Sequence, residues 1–419
     1  MDLGDKSVIV IGPAGYLENE DNTEYVNSFD VVCRPNVRIV DGRLSLPPNT
    51  GSRCDVVFHS GGWMGQRYDI GNGKMAMYGE NDGICESLLR AYKDNGVKHI
   101  LICSDWNLRI QNAVRVCNLV GLPYSVVTVP NQKFTTGLHG LCQIISEHPG
   151  KLAIKGFDFY QTDHRGYTGY YNGHNGDSSG HDHVESFDFF ITTILPQVRL
   201  EIDYHLKKLI FDRCGYIVLH DVFDEDFLCE CLKEIHPHDK RGQSIIDVEN
   251  YPNTYSIKEC ATIHKNLKNV LGTDDYRFCS HNDIGINRLT DWHKDRLNNK
   301  YREYETISPF ETREGKKHNI VKVCVYLQDH SKNMDALKVI PRSHTREDMF
   351  AFKTFIQLQP RLGDVIIFDQ RLTHCGMQRH RDETRVLVTF GFGENNIFTD
   401  NFEKGTIARQ TDQLKANRV

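Results

Sequence analysis

Two histidines and an aspartate in the second half of the chain have the types and spacing of a metal site. Trp292-His293-Lys294-Asp295 places an imidazole and a carboxylate two residues apart. In extended backbone, such positions project to the same side. A second imidazole, His374, follows the stretch Gly363-Asp364-Val365-Ile366-Ile367-Phe368. Two imidazoles and one carboxylate on one face of Fe(II) leave positions open for a cosubstrate and dioxygen, the ligand set of non-haem oxygenases. The cosubstrate such chemistry uses, 2-oxoglutarate, chelates through its keto acid end. Its far carboxylate needs a planar cationic fork. Arg385 stands eleven residues after His374, at the head of an apolar strand. His-x-Asp alone is common in surface turns, so the weight lies on the conjunction.

These residues need a scaffold of short strands. Val321–Leu327, Phe352–Leu358, Asp364–Phe368 and Arg385–Phe392 read as strands separated by turns. Few helical patterns interrupt them, which suits a jelly roll. The first half reads differently. Ser7–Ile11, Asp30–Cys33, Asp55–His59, His99–Cys103 and Ser125–Val129 read as buried strands. Glu86–Asn95, Ile110–Val120 and Gly137–Glu147 read as helices between them. That alternation predicts an α/β domain with a mainly parallel sheet. Tyr160–Asp182 is rich in Gly, Tyr, Asn, Asp and His and reads as a loop. The join is placed near Pro196–Leu209, giving domains over 1–200 and 201–400. Asn401–Val419 reads as a polar tail.

At 419 residues the chain suits two domains of about 200 residues each. Its net charge of −6 argues against a nucleic-acid partner, which calls for a basic face. Thirteen cysteines include no Cys-x-x-Cys pair, so neither a structural zinc nor a disulfide framework is expected. Reduced thiols point to a cytoplasmic setting. The first residues are acidic and run into the apolar Val8–Ile11, so no leader peptide is expected. No apolar run approaches the roughly 20 residues of a membrane span.

Residues 209–396 resemble the phytanoyl-CoA dioxygenase-like family of Fe(II)/2-oxoglutarate enzymes. The resemblance rests on Phe211-Asp212-Arg213-Cys214-Gly215-Tyr216-Ile217-Val218-Leu219, similar to the family's opening strand, and on Val325-Tyr326-Leu327-Gln328-Asp329-His330. It also rests on Leu337-Lys338-Val339-Ile340-Pro341-Arg342-Ser343-His344, where Arg342 stands in place of the family's Gly. It implies a double-stranded β-helix. The presence of Asp295 favours hydroxylation over halogenation.

Residues 7–195 resemble the sialyltransferase superfamily of inverting glycosyltransferases, which implies a Rossmann-like domain. The matching pieces are Val8–Leu17, Ser28-Phe29-Asp30-Val31-Val32-Cys33-Arg34-Pro35-Asn36, Phe134-Thr135-Thr136-Gly137, and Leu152-Ala153-Ile154-Lys155-Gly156-Phe157-Asp158. The resemblance implies a CMP-sugar donor carrying sialic acid or Kdo, bound near Gly12, Asn36, Thr135, Thr136 and Gly137. A carbohydrate or lipid-linked acceptor would lose its proton to His181, or alternatively His183, with Glu185 nearby. Histidine suits such a base near neutral pH. Two departures stand out. Ile11 occupies the place of the family's Asn, and His181 and Glu185 are separated by three residues rather than four. The expectation is a bifunctional carbohydrate-modifying enzyme. Its alternative is an active oxygenase whose first half is a degenerate nucleotide- or glycan-binding module.

Overall fold

The computed structural model describes residues 1–60, 67–69, 75–77, 85–104, 107–128, 131, 134–159, 182–236, 244–332, 336–376 and 384–416. The chain forms two compact units, Met1–Leu206 and Lys207–Val419. Among the described residues, no helix is long and apolar enough to cross a membrane. All thirteen cysteines are free thiols.

The first unit is built on a seven-stranded parallel sheet. Its order is Glu201–Ile202, Lys151–Lys155, Ser7–Ile11, Val31–Pro35, Val56–His59, His99–Ile102 and Tyr124–Val126. The strands are near-continuous apolar runs, such as Val8–Ile11 at 1% exposure or less, as expected where both faces are covered. Helix Thr136–Ser146 lies so close to strand Val56–His59 that a β-carbon on Gly140 would fall 2.1 Å from the Phe58 ring. The expected loop over Tyr160–Asp182 falls, apart from Asp182, outside the described residues.

Besides the short hairpin of Thr312–Arg313 with Lys316–Lys317, the second unit has two antiparallel sheets among the described residues. The larger runs Tyr216–Leu219, Val365–Asp369, Ile320–Tyr326, Val386–Glu394, Tyr276–Ile286 and Ser244–Ile245. The smaller runs Thr290–His293, His374–Gly376, Lys338–Val339 and Ile356–Gln357. All seven residues of Ile320–Tyr326 are buried between two partner strands. The Gly363-Asp364 turn that launches strand Val365–Asp369 is sterically dictated. Gly363 has φ +91°, and a β-carbon there would meet the Phe223 carbonyl oxygen at 2.3 Å.

Three elements differ from the sequence reading. Phe211–Cys214 does not open a strand; it ends helix Tyr204–Cys214, and only Tyr216–Leu219 is extended. Strand character in Phe352–Leu358 is confined to Ile356–Gln357. Over its described residues, 401–416, the expected tail is instead most of a twenty-residue helix, Ile397–Ala416. Its buried positions are Phe398, Thr399, Phe402, Gly405 and Thr406. That face recurs at helical spacing, but small residues hide it from an apolar count. Gly405 admits Leu297, whose methyl would sit 2.4 Å from a β-carbon there. Arg277 ties the helix down through ion pairs to Asp400 at 2.6 Å and Glu403 at 3.1 Å.

Candidate metal centre

The smaller sheet sets the two imidazoles opposite one another. His293 and His374 are direct cross-strand partners, with ring centroids 4.3 Å apart. Asp295 lies just past the end of strand Thr290–His293, so its strand no longer places it. Residue Gln370 does: Asp295 N donates to the Gln370 carbonyl at 3.1 Å, and Gln370 Nε2 donates to the Asp295 carbonyl at 2.6 Å. Lys294, between the two ligand candidates, points the other way. Its Nζ donates to the carbonyls of Ser343 and Arg371 at 2.6 and 2.7 Å. Burial pushes its pKa down to about 8.

The Pro341-Arg342-Ser343-His344 turn supports the segment that carries His374. Thr373 N donates to Ser343 Oγ at 2.7 Å, and Ile340 N donates to the Thr373 carbonyl at 2.9 Å. Arg342, standing where the resembled family has Gly, takes that left-handed conformation with φ +71°. A side chain there costs about 1 kcal/mol.

The donor set fits a divalent cation. His293 Nδ1 is 2.7 Å from the Asp291 carbonyl, and His374 Nδ1 is 2.9 Å from the Leu372 carbonyl. Each Nδ1 therefore carries the proton, and each Nε2 offers a lone pair. Those Nε2 atoms lie 3.5 and 3.4 Å from the Asp295 carboxylate. Three acceptors converge, with ligand atoms within 4.8 Å of one another. Converging acceptors repel unless a cation sits among them. Asp295 Oδ2 is buried without a hydrogen-bond donor. Lys322 Nζ stands 2.8 Å from it, an ion-pair contact without hydrogen-bond alignment.

The electrostatics of Asp295 and His374 agree with ligand roles. Burial opposes ionisation of Asp295, yet the neighbouring cations, Lys322 foremost, hold its carboxyl well below the usual range. Burial pushes His374 down to about 4, keeping it neutral. Burial also works against charge on His293, but Asp295 outweighs it and raises the imidazole above its ordinary value.

Arg385 lines the same cavity as the three ligand candidates, a space of about 150 Å³. It is 6% exposed. Its backbone N donates to Asn287 Oδ1 at 2.8 Å, and its Nη2 donates to the Arg288 carbonyl. Gly376 leaves room for the guanidinium, which would lie 3.4 Å from a β-carbon at that position. The sequence reading missed Lys322, Thr290, His281 and Arg409, all of which line the cavity. Lys322 had a visible signal, as the lone charge in Ile320-Val321-Lys322-Val323-Cys324-Val325-Tyr326.

Asp369 and Arg371 brace the chain leading to His374. Arg371 Nε donates to Asp369 Oδ1 at 2.9 Å and Nη2 to Oδ2 at 2.7 Å. Burial would raise the Asp369 pKa, but Arg371 wins and holds it at about 2. A depressed carboxyl stabilises the fold above its unfolded value near 4 and loses that contribution as pH falls towards 2. Asp369→Asn is therefore expected to cost about 2–3 kcal/mol at pH 7, because it strands a largely buried guanidinium. Urea denaturation should show the gap between wild type and variant closing from pH 4 to pH 2. A gap unchanged over that window would rule out the pair as its source.

The residues expected to serve nucleotide transfer are arranged differently. Gly12 lacks a side chain because Gly156 approaches it. A β-carbon on Gly12 would fall 2.2 Å from the Gly156 carbonyl oxygen. The element that follows it is the 3-10 turn Gly15–Asn19. Gly12 thus packs two strand ends together, and no phosphate-binding helix begins there. Thr135 caps helix Thr136–Ser146, its side chain accepting from Leu138 N at 3.3 Å. Asn36 ends strand Val31–Pro35 at φ +46°, with a buried Oδ1 that has no hydrogen-bond partner. Pro35 Cγ lies 3.8 Å from where a Gly137 β-carbon would sit, so this strand end and helix start share one edge. His181 lies outside the described residues. His183 opens helix His183–Phe189, and Glu185 is exposed and accepts from Asn131 Nδ2 at 2.8 Å.

No curated protein matches the chain. Among solved structures, HygX from Streptomyces hygroscopicus with nickel and 2-oxoglutarate bound is 18% identical, covering 44% of this chain and 85% of its own, with TM-score 0.37. The non-haem α-ketoglutarate-dependent epimerase SnoN from nogalamycin biosynthesis is 14% identical, covering 46% and 82%, with TM-score 0.37. AviO1 from Streptomyces viridochromogenes is 12% identical, covering 46% and 96%, with TM-score 0.37. Residues 211–386, which carry His293, Asp295, His374 and Arg385, match the phytanoyl-CoA dioxygenase (PhyH) family.

Proposed function

We propose that the second unit is an Fe(II)/2-oxoglutarate-dependent hydroxylase. The observation that carries this is the convergence of His293 Nε2, His374 Nε2 and the Asp295 carboxylate in one cavity with Arg385. His293, Asp295 and His374 would hold the iron. Bound iron supplies the redox chemistry that couples decarboxylation of 2-oxoglutarate to oxidation of a substrate C–H bond. Arg385 would take the far carboxylate of 2-oxoglutarate in two parallel hydrogen bonds. Asp295 keeps a carboxylate in the ligand set, which favours hydroxylation over halogenation. Lys322 and the backbone clamp from Gln370 fix the orientation of that carboxylate. The test is succinate formation from 2-oxoglutarate by protein loaded with Fe(II) in air. Absence of both iron uptake and succinate would reject the reading.

For the first unit, the geometry favours a nucleotide- or glycan-binding module over a working transferase. The buried, partnerless Asn36 Oδ1 beside the capped start of helix Thr136–Ser146 is a polar edge suited to a ribose or sugar hydroxyl. The CMP-sugar transfer reading keeps Thr135, Thr136, Gly137 and His181 in their expected roles and rests on the sequence resemblance. Calorimetry with CMP, in chelator and then in magnesium, separates these. Binding equal in both buffers without CMP-sugar turnover is the expected result. Turnover that falls by about a hundredfold in His181→Ala would restore the transferase, and no binding in either buffer would remove the nucleotide site and leave the degenerate glycan-binding reading.

A further inference from the structure

The helix Ile397–Ala416 reaches the iron cavity. Arg409 and Gln413 line it together with His281, Lys322 and Asp295. A bulge puts His281 there. Strand Tyr276–Ile286 shifts register between Phe278 and Asn282, with Ser280 at φ +54°. Gly391 on the neighbouring strand makes the space, since a β-carbon there would meet His281 Cβ at 2.9 Å. Bulges beside a site re-aim a side chain in this way. The same bulge anchors the helix: Ser280 Oγ donates to Glu403 at 2.7 Å, and Gln410 Nε2 donates to the Asn282 carbonyl at 2.9 Å. Arg409 is thereby laid on His281, donating from Nη2 to His281 Nδ1 at 3.1 Å.

The charges lining the cavity do not balance. Arg288 pairs with Asp283 at 3.1 Å, and Lys322 pairs with Asp295 at 2.8 Å. Arg385 is assigned to 2-oxoglutarate. Arg409 is left over. Among the described residues, no carboxylate lies within ion-pair distance of it, and its buried Nε has no hydrogen-bond partner. His281 accepts from Arg409 through Nδ1, but an imidazole carries no negative charge with which to neutralise it. A half-buried guanidinium with an unused donor calls for an anionic acceptor.

We propose that Arg409, set in place by His281 and the bulge, binds an anionic group of the oxygenase's substrate, so that the substrate is a carboxylate- or phosphate-bearing molecule. This rests on the hydroxylase reading above. The test uses the full chain loaded with Mn(II) and 2-oxoglutarate. Paramagnetic relaxation is measured for the protons of acetate, the phosphorus of inorganic phosphate and the protons of neutral acetamide. Wild type is expected to relax at least one anion and not acetamide, and the anion relaxed identifies the group. Arg409→Gln should weaken that anion about tenfold or more, with Arg409→Lys in between. Affinity for 2-oxoglutarate and the melting temperature should stay unchanged. Equal anion affinity in wild type and Arg409→Gln, or relaxation of acetamide to the same degree, would overturn the proposal. So would a fall in 2-oxoglutarate affinity, because Arg409 would then serve the cosubstrate. Failure of the wild type to take up Mn(II) and 2-oxoglutarate would instead sink the hydroxylase reading, and this inference with it.

Discussion

His374→Ala is expected to lower Fe(II) affinity by at least a hundredfold and to abolish succinate formation, exceeding the losses seen when only a supporting partner of a ligand is removed. The variant should still fold. In the metal-free protein, His374 Nε2 faces the Asp295 carboxylate at 3.4 Å with no proton to share, so its removal relieves a repulsion as well as leaving a small cavity. The informative comparison is therefore the response to metal. Fe(II) added anaerobically should raise the wild-type melting temperature, since a ligand bound only by the native state stabilises it by mass action. The variant's melting temperature should not move. Full turnover in His374→Ala, or an equal thermal shift, would show that the iron is held elsewhere.

How much of this site the sequence disclosed follows from how each residue is positioned. His293 and His374 sit in strands and Arg385 directly precedes one, so spacing along the chain maps onto direction in space, whereas Asp295 lies past its strand and is placed by Gln370. The parallel sheet of the first unit was legible for a related reason. Its strands are short apolar runs separated by amphipathic helices such as Glu86–Asp94. Strand Tyr276–Ile286 was not legible. Arg277, Ser280, His281, Asn282 and Asp283 break its apolar pattern, because they serve the bulge, the helix anchor and the cavity. Helix Ile397–Ala416 was missed because Gly405 and Thr406 stand on its buried face and ion pairs replace part of its apolar contact. Where side chains serve a site or an anchor, they depart from the pattern their secondary structure would show. Gly12 shows that a glycine named for a donor site by resemblance also has a packing reason, the approach of Gly156.

Arg385→Leu is expected to raise the 2-oxoglutarate KM by about a hundredfold or more while leaving Fe(II) affinity nearly unchanged. Two charge-assisted hydrogen bonds to one carboxylate contribute about 1.5–3 kcal/mol each. The substitution also leaves that carboxylate facing an apolar side chain in a cavity of about 150 Å³. Arg385→Lys should recover little. The guanidinium is fixed by the Arg288 carbonyl on one side and the gap over Gly376 on the other, and a point charge on a flexible stem does not reproduce its fork. Steady-state succinate formation at varied 2-oxoglutarate, with iron held saturating, separates the effect on KM from that on kcat. An unchanged KM in Arg385→Leu would assign the carboxylate to another cation. Arg381 lies outside the described residues, whereas Lys322 and Arg409 both line the cavity. The same titration in Lys322→Met and Arg409→Gln would then identify it, because only the true partner's loss moves the KM. Lys322→Met should in addition weaken iron binding, since it frees the carboxylate that Lys322 orients at 2.8 Å.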